Sequence, residues 1–183
     1  SVQAPLLAGL CGAQGSGKST AAAAIAGLLE EAGLPTAVLS IDDFYRTRAE
    51  RERLAREVHP LLLTRGVPGT HDVDLMESVI GALRAGNRPP LPRFDKSRDD
   101  RVPESRWLAP PQPVRIVMLE GWCVGARPEP AAALASPVND LERLEDVDGC
   151  WRRHVNDALA SEYRPLFDAL DPLVLLAAPS FDV

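Results

Sequence analysis

The chain has 183 residues, which suffices for one α/β domain with a substantial core, and we expect a single domain over residues 1–183. Its formal net charge of −6 and pI near 5.1 argue against nucleic acid as a main partner, because a phosphate backbone requires a broad basic face. Three cysteines without C-x-x-C spacing indicate no disulfide framework or zinc site, and without an apolar run of roughly 20 residues we expect a soluble, cytoplasmic protein.

The first predicted elements are a buried strand, a glycine-rich loop and an Ala-rich helix. Residues 6–10 are apolar, residues 12–19 fit G-x-x-x-x-G-K-[ST] at every fixed position, and residues 20–31 have helical composition. Such a loop binds a polyphosphate through its amides and the positive end of the helix. The lysine is predicted to reach the outer phosphates, and the last serine to bind Mg²⁺. The predicted nucleotide-binding residues are Gly12, Gly15, Ser16, Gly17, Lys18, Ser19 and Thr20.

A second buried strand, residues 36–41, leads directly into two acids, Asp42 and Asp43. In open α/β sheets the carboxyl ends of the strands line the ligand crevice. A carboxylate there can accept a proton from an attacking hydroxyl, so Asp42 is the candidate general base. The alternative is an ordinary cap of the helix predicted over residues 49–58, and Asp43 is favoured for a structural role.

The next helix is predicted over residues 73–84, after a loop divided into turns by glycine and proline. Asp72 immediately precedes that helix. Its side chain can cap the helix or contact a substrate, and the sequence favours neither interpretation.

Proline is dense between residues 89 and 137, but a strand at residues 114–119 and two tryptophans favour ordered connecting loops over a disordered linker. Residues 93–101 form the most charged stretch. Its mixed signs argue against a nucleic-acid patch. Arg93, Lys96 and Arg101 are candidates for binding an anionic substrate, and a solvated surface is the equally supported alternative.

Glu120 follows the third strand, at residues 114–119. An acid at the end of a strand beside a phosphate loop typically orients Mg²⁺ or its waters. Glu120 is therefore the second predicted metal residue, with Ser19.

The C-terminal part is predicted to contain a core-facing helix, a short helical turn at residues 165–170 and a fourth buried strand at residues 172–178. The helix prediction rests on apolar residues that recur every four positions. These residues are Val147, Trp151, Val155 and Leu159, with Cys150 and Ala158 beside them.

Several segments together resemble a known family of phosphate-loop kinases, related to phosphoribulokinase, uridine kinase and pantothenate kinase. The narrower resemblance is to the plant-type D-glycerate 3-kinases and their ATP-binding relatives, and it covers nearly the whole chain. The segments that carry it are G-A-Q-G-S-G-K-S-T (12–20), S-I-D-D-F-Y (40–45), G-T-H-D (69–72), P-R-F-D-K-S-R-D-D-R (92–101), L-E-G-W (119–122), V-N-D (138–140) and L-A-A-P-S-F-D-V (176–183).

The resemblance implies a three-layer α/β/α fold with a mainly parallel sheet, and a role for individual residues. Asp42 lies where this superfamily keeps its proposed general base, and Tyr45 follows as an aromatic does in uridine kinase-like enzymes. His71 and Asp72 correspond to a substrate-side segment, and Arg101 to a basic residue after the P-x-x-D stretch. Glu120 matches the metal-associated acid of the family's E-G dipeptide.

The implied activity is transfer of the γ-phosphoryl group of MgATP to a hydroxyl of a small anionic metabolite, with D-glycerate favoured. Pantothenate- or uridine-type kinases are alternatives, as is a nucleotide-dependent switch or metallochaperone NTPase. Two features of the sequence argue against the switch or metallochaperone. It contains no N-K-x-D guanine motif, and its D-x-x-G, at residues 146–149, lies between helical segments and not at the end of a strand. In the family a basic lid and a last strand follow the fourth strand, so we expect both to lie beyond Val183 and the chain alone to turn over weakly.

Overall fold

The computed structural model describes residues 4–177, which fold around a four-stranded parallel sheet. A two-stranded antiparallel hairpin lies beside it. The strands are β1 (Leu6–Gly12), β2 (Thr36–Ser40), β3 (Phe94–Asp95), β4 (Asp100–Arg101), β5 (Ile116–Gly121) and β6 (Leu173–Leu176). The large sheet has the order β2–β5–β1–β6, and β3 pairs with β4.

Six α-helices and several 3₁₀ turns connect the strands within residues 4–177. The helices are α1 (Lys18–Glu31), α2 (Arg48–Glu57), α3 (Val73–Arg84), α4 (Asp140–Glu145), α5 (Cys150–Ala160) and α6 (Arg164–Asp168). None of these helices is long and apolar enough to cross a membrane.

The sheet has helices on both faces, which gives the predicted three-layer α/β/α architecture. On one face Leu10 and Met118 pack with Ala22 of α1. On the other face the larger core joins side chains of β1, β2 and β5 to α3 and α6, with Met76 and Phe167 fully buried. Because successive strand residues point to opposite faces, a continuous apolar strand such as β5, buried at all six positions, supplies both cores.

The carboxyl ends of β1, β2 and β5 lie next to one another. Glu120 of β5 is in register with Leu10 of β1 on one side and with Ser40 of β2 on the other. The segments that follow these three strands therefore share one edge of the sheet, as expected for a ligand crevice in an open α/β sheet.

Two expectations for the C-terminal part are wrong. The fourth strand is predicted to be buried, but Leu173, Val174 and Leu175 are 45, 46 and 65% exposed, because within residues 4–177 β6 lies at the edge of the sheet and pairs with β1 alone. Val147 is 79% exposed and precedes α5 instead of packing in the core. The Asp146 carboxylate accepts amide hydrogen bonds from the first turn of α5, so that helix begins at Cys150 and leaves Val147 in the preceding turn.

The helix itself is confirmed, with Ala158 buried and Leu159 packed against the larger core, whereas Trp151 and Val155 are only partly buried and belong to neither core. Residue 178, the last of the predicted strand, lies outside the described residues.

Candidate active site

The phosphate-loop sequence forms the turn between β1 and α1. Gly15 and Gly17 have φ of 79° and 80°, a left-handed conformation that residues with a Cβ rarely adopt. Gly17 is also the N-cap of α1, and no acid lies in the first turn of that helix. The helix end is therefore open to an anion, to which its free amides and dipole are complementary.

Further groups of this loop are available to a nucleotide. The Ser16 hydroxyl is buried and has no hydrogen-bond partner within the described chain. The Lys18 ammonium likewise makes no ion pair or hydrogen bond with any residue in 4–177. Thr20 lies exposed in the first turn of α1. An ordered turn with a free cation and a free hydroxyl fits a bound polyphosphate.

Ser19 and Glu120 lie together, as a shared magnesium site requires. The Ser19 hydroxyl donates to Glu120 Oε1 at 3.0 Å. Glu120 is only 4% exposed, and its Oε2 atom has no partner among residues 4–177. A buried carboxylate oxygen without a donor is costly, and oxygen atoms are the ligands that Mg²⁺ takes. Both side chains thus fit a magnesium ion bound with the nucleotide.

Asp42 lies in a 3₁₀ turn (Ile41–Phe44) directly after β2. The Tyr45 hydroxyl donates to its Oδ1 at 3.0 Å, and the Lys96 ammonium lies 2.7 Å from its Oδ2. Burial raises the pKa of Asp42, but the hydrogen bonds and charge of these two donors outweigh it and hold that pKa below its usual value. Asp42 is therefore an ionised carboxylate with both oxygens engaged.

Asp43 connects the sheet to the hairpin. Its carboxylate accepts hydrogen bonds from the backbone amide of Phe94 at 3.0 Å and from the guanidinium of Arg93 at 2.9 Å. Burial raises the pKa of Asp43 in spite of these donors. This geometry agrees with the structural interpretation of Asp43, and it places Arg93 on Asp43 rather than beside Asp42.

Tyr45 and His71 form a stacked pair behind Asp42. Their backbones make an antiparallel bridge, and their rings are parallel within 18° with centroids 4.5 Å apart. His71 is fully buried, with Nδ1 2.7 Å from the Tyr163 hydroxyl, which accepts the Gly69 amide. Burial lowers the pKa of His71 to about 3, so the imidazole is neutral at physiological pH.

Asp72 caps α3, which is one of the two roles that the sequence left open, and it also pairs with Arg101; its contact with a substrate stays a prediction. Its Oδ1 accepts the Leu75 amide at 3.1 Å and caps α3, while its Oδ2 accepts a hydrogen bond from Arg101 at 2.9 Å. Arg101 also donates to the backbone carbonyl of Tyr45. One carboxylate therefore fixes both the start of a helix and the position of the Arg101 side chain.

Sequence reasoning missed the residues that hold the hairpin against the body of the domain. Arg51 of α2 is fully buried and donates to the Leu63 carbonyl and to both the carbonyl and the carboxylate of Asp99. Arg65 pairs with the same carboxylate, and both guanidinium groups lie over the Phe94 ring, at 5.8 and 5.6 Å. In the sequence Arg51 resembles a solvated residue of a charged helix, so no pattern indicated its burial.

The predicted site residues thus form two groups at one edge of the sheet. The first group follows β1 and β5 and contains Gly12, Gly15, Ser16, Gly17, Lys18, Ser19, Thr20 and Glu120. The second follows β2 and contains Asp42, Tyr45, His71, Asp72, Lys96 and Arg101, with Arg93 attached through Asp43. A phosphate-binding loop beside an ionised acid and a cationic hairpin defines a phosphate-loop kinase.

The comparison with protein families agrees with that class. Residues 7–127 match the Phosphoribulokinase / Uridine kinase family, and the chain belongs to this family. The matched family is one of kinases, so the fold is that of a kinase.

Individual relatives are similar over most of the chain. It is 37% identical over 185 residues to the Schizosaccharomyces pombe protein named "Uncharacterized kinase mug58", covering 95% of this chain and 65% of that protein. It is 32% identical over 167 residues to the chloroplastic D-glycerate 3-kinase of Arabidopsis thaliana, covering 83% and 36%. The solved structure of a D-glycerate 3-kinase from Cryptococcus neoformans superposes with a TM-score of 0.76 at 28% identity, covering 94% and 63%. The chain spans less than two thirds of each of these proteins.

Proposed function

We propose that this protein transfers the γ-phosphoryl group of MgATP to a hydroxyl of a small anionic metabolite, with D-glycerate as the acceptor and 3-phosphoglycerate as the product. The observation that carries the proposal is Asp42, an ionised carboxylate at the end of β2, on the same sheet edge as the phosphate loop. Two observations support the choice of acceptor. The segments G-T-H-D and P-R-F-D-K-S-R-D-D-R resemble those of D-glycerate 3-kinases, and two of the similar proteins carry that name.

Residues of the first group bind the nucleotide in this proposal. The amides of the loop around Gly15 and the N-terminus of α1 bind phosphate oxygens, and Lys18 contributes a positive charge toward the transferring group. Ser19 and Glu120 hold Mg²⁺, which when bound neutralises charge on the phosphates.

Residues of the second group bind and activate the acceptor. Lys96 and Arg101 bind its carboxylate, with Arg93 at the outer side of the hairpin, while Tyr45, His71 and Asp72 form the supporting wall. Asp42 accepts the proton of the acceptor hydroxyl while the hydroxyl oxygen forms a bond to the γ-phosphorus. The bond between the γ-phosphorus and the bridging oxygen of the β-phosphate breaks at the same time and releases ADP.

The test is ADP release by the purified full-length protein with D-glycerate, pantothenate and uridine as acceptors. The proposal predicts turnover with D-glycerate well above the ATPase background and little with the other two. Phosphorylation of only a nucleoside, or only of pantothenate, would contradict the choice of acceptor but leave the kinase assignment intact.

A nucleotide-dependent switch predicts a different result in the same preparation. It would hydrolyse nucleotide without phosphorylating any acceptor. Competition of GTP against ATP separates the two classes, since the proposal predicts that ATP is preferred.

A further inference from the structure

Both carboxylate oxygens of Asp42, the proposed base, already have hydrogen-bond partners in this structure. Both oxygens of Asp42 are engaged, Oδ1 by the Tyr45 hydroxyl at 3.0 Å and Oδ2 by the Lys96 ammonium at 2.7 Å. A carboxylate that is ion-paired and hydrogen-bonded on both oxygens accepts a further proton poorly, because its charged form is stabilised. Departure of one of the two donors would therefore make Asp42 a stronger base toward a hydroxyl proton.

Lys96 is the donor that is free to leave. Its side chain is 60% exposed, and it lies in the turn of the β3–β4 hairpin. Tyr45, by contrast, is 4% exposed and stacked on His71. An ion pair with an exposed lysine is worth little, so a competing anion can separate it at small cost.

The hairpin around Lys96 is fixed, so exchange requires only motion of the lysine side chain. The buried Arg51 holds the carbonyl of Asp99 at 2.7 Å, and Asp43 holds the Phe94 amide at 3.0 Å. The neighbouring cations are tied to other acids, Arg93 to Asp43 and Arg101 to Asp72.

The choice of lysine at this position is informative. Only two of the 20 basic residues in the sequence are lysines, Lys18 in the phosphate loop and Lys96 on Asp42. Arginine presents a rigid fork that favours a lasting two-point contact, whereas lysine is a compact charge on a flexible stem. The chain thus uses arginine for its hairpin anchors, and lysine in the phosphate loop and on Asp42.

We infer that Lys96 is exchanged between Asp42 and the acceptor: the carboxylate of an anionic acceptor draws the ammonium away from Asp42 Oδ2 and so frees the proposed base. A neutral alcohol leaves the Lys96–Asp42 pair in place, so Asp42 remains a weaker base toward its hydroxyl. Lys96 is then a specificity-determining residue that couples binding of the acceptor's negative charge to activation of its hydroxyl. This inference rests on the proposed function and deepens it.

The kinetic test compares D-glycerate with glycerol, which carries a neutral CH₂OH group in place of the carboxylate. In Lys96→Met, KM for D-glycerate should rise about tenfold or more, because a charge-assisted contact is lost. The kcat/KM for glycerol should rise, because Asp42 is no longer paired. Arg98→Met is the matched control: it removes an exposed charge of the same hairpin that makes no side-chain contact with Asp42, and both substrates should keep their wild-type values.

Opposite changes for the two substrates support the exchange. An equal loss with both substrates in Lys96→Met would overturn it, since this is what a merely structural role predicts. An unchanged kcat/KM for glycerol would also overturn it, because the base would then not have been blocked. Thermal unfolding of each variant controls for folding.

A second readout does not require turnover. The side-chain NMR signal of Lys96, in protein labelled with ¹³C,¹⁵N-lysine and assigned by its loss in Lys96→Met, should shift when D-glycerate is added and stay in place with glycerol. If the protein phosphorylates D-glycerate but the Lys96 signal does not shift when D-glycerate is added, the exchange is overturned and the proposed function stays intact. A shift without phosphorylation would support the exchange and contradict the proposed function.

Discussion

Replacing Asp42 by asparagine tests the proposed base with the least change in shape. The amide oxygen can still accept the hydrogen bond from the Tyr45 hydroxyl, which is 3.0 Å long with aspartate. The amide can no longer take a proton or form an ion pair with Lys96. General-base catalysis contributes about 10²–10⁴-fold, so acceptor phosphorylation should fall by that factor, equivalent to about 3–5 kcal/mol of barrier.

The effect on folding should be much smaller. The lost ion pair joins a 60% exposed lysine to a 30% exposed aspartate, and such pairs contribute about 1 kcal/mol or less. The difference between the two magnitudes separates a catalytic role from a structural one. We therefore expect nucleotide affinity and melting temperature close to those of the wild type in the same variant.

The assay is single-turnover phosphorylation of D-glycerate at saturating MgATP, with nucleotide affinity measured separately by fluorescence. Asp43→Asn is the matched control, because its amide oxygen can still accept the Phe94 amide that holds the hairpin, and loss of the Arg93 pair should affect KM for the acceptor rather than kcat. We expect its kcat to remain within a few-fold of wild type. Normal turnover by Asp42→Asn, or equal loss in both variants, would remove Asp42 from the role of base.

Three further predictions concern the metal, the hairpin and acid stability. Ser19→Ala should weaken binding of MgATP about tenfold but not that of ATP in EDTA, measured by calorimetry; equal weakening of both would contradict a metal role. Arg51→Met should lower the free energy of unfolding by about 3 kcal/mol in urea titrations, since the carbonyls and carboxylate that it contacts lose their donor, and an unchanged value would refute its anchoring role. His71 binds a proton near pH 6.5 when unfolded but only near pH 3 when folded, so stability should fall as pH drops from 6.5 toward 3, by on the order of a few kcal/mol. That slope should be reduced in His71→Gln, and an equal slope in both proteins would contradict the burial argument.

Local sequence patterns were sufficient to predict the strands, turns and helices that line the site. The phosphate-loop motif fixes its own turn, because its glycines adopt the left-handed conformation that the loop requires, and α3 begins and ends where its cap and periodicity predict. Acids at strand ends were also informative, since Glu120 and Asp42 follow strands that the sheet places side by side.

Contacts between distant segments could not be predicted in this way. The Lys96–Asp42 pair joins residues 54 positions apart, and the Arg51–Asp99 contact joins residues 48 apart. Nothing in a single sequence specifies which of several charged residues pair across such separations. The exposure of β6 escaped prediction for the same reason, because an apolar run does not reveal whether a neighbouring element covers it.

The central claim is that this chain directs the γ-phosphoryl group of ATP to the hydroxyl of a small anionic acceptor. The most direct test is ³¹P NMR of the full-length protein incubated with MgATP and D-glycerate. Loss of the γ-phosphate signal with growth of a phosphomonoester signal at the position of 3-phosphoglycerate is the predicted result. Growth of inorganic phosphate alone would contradict the claim.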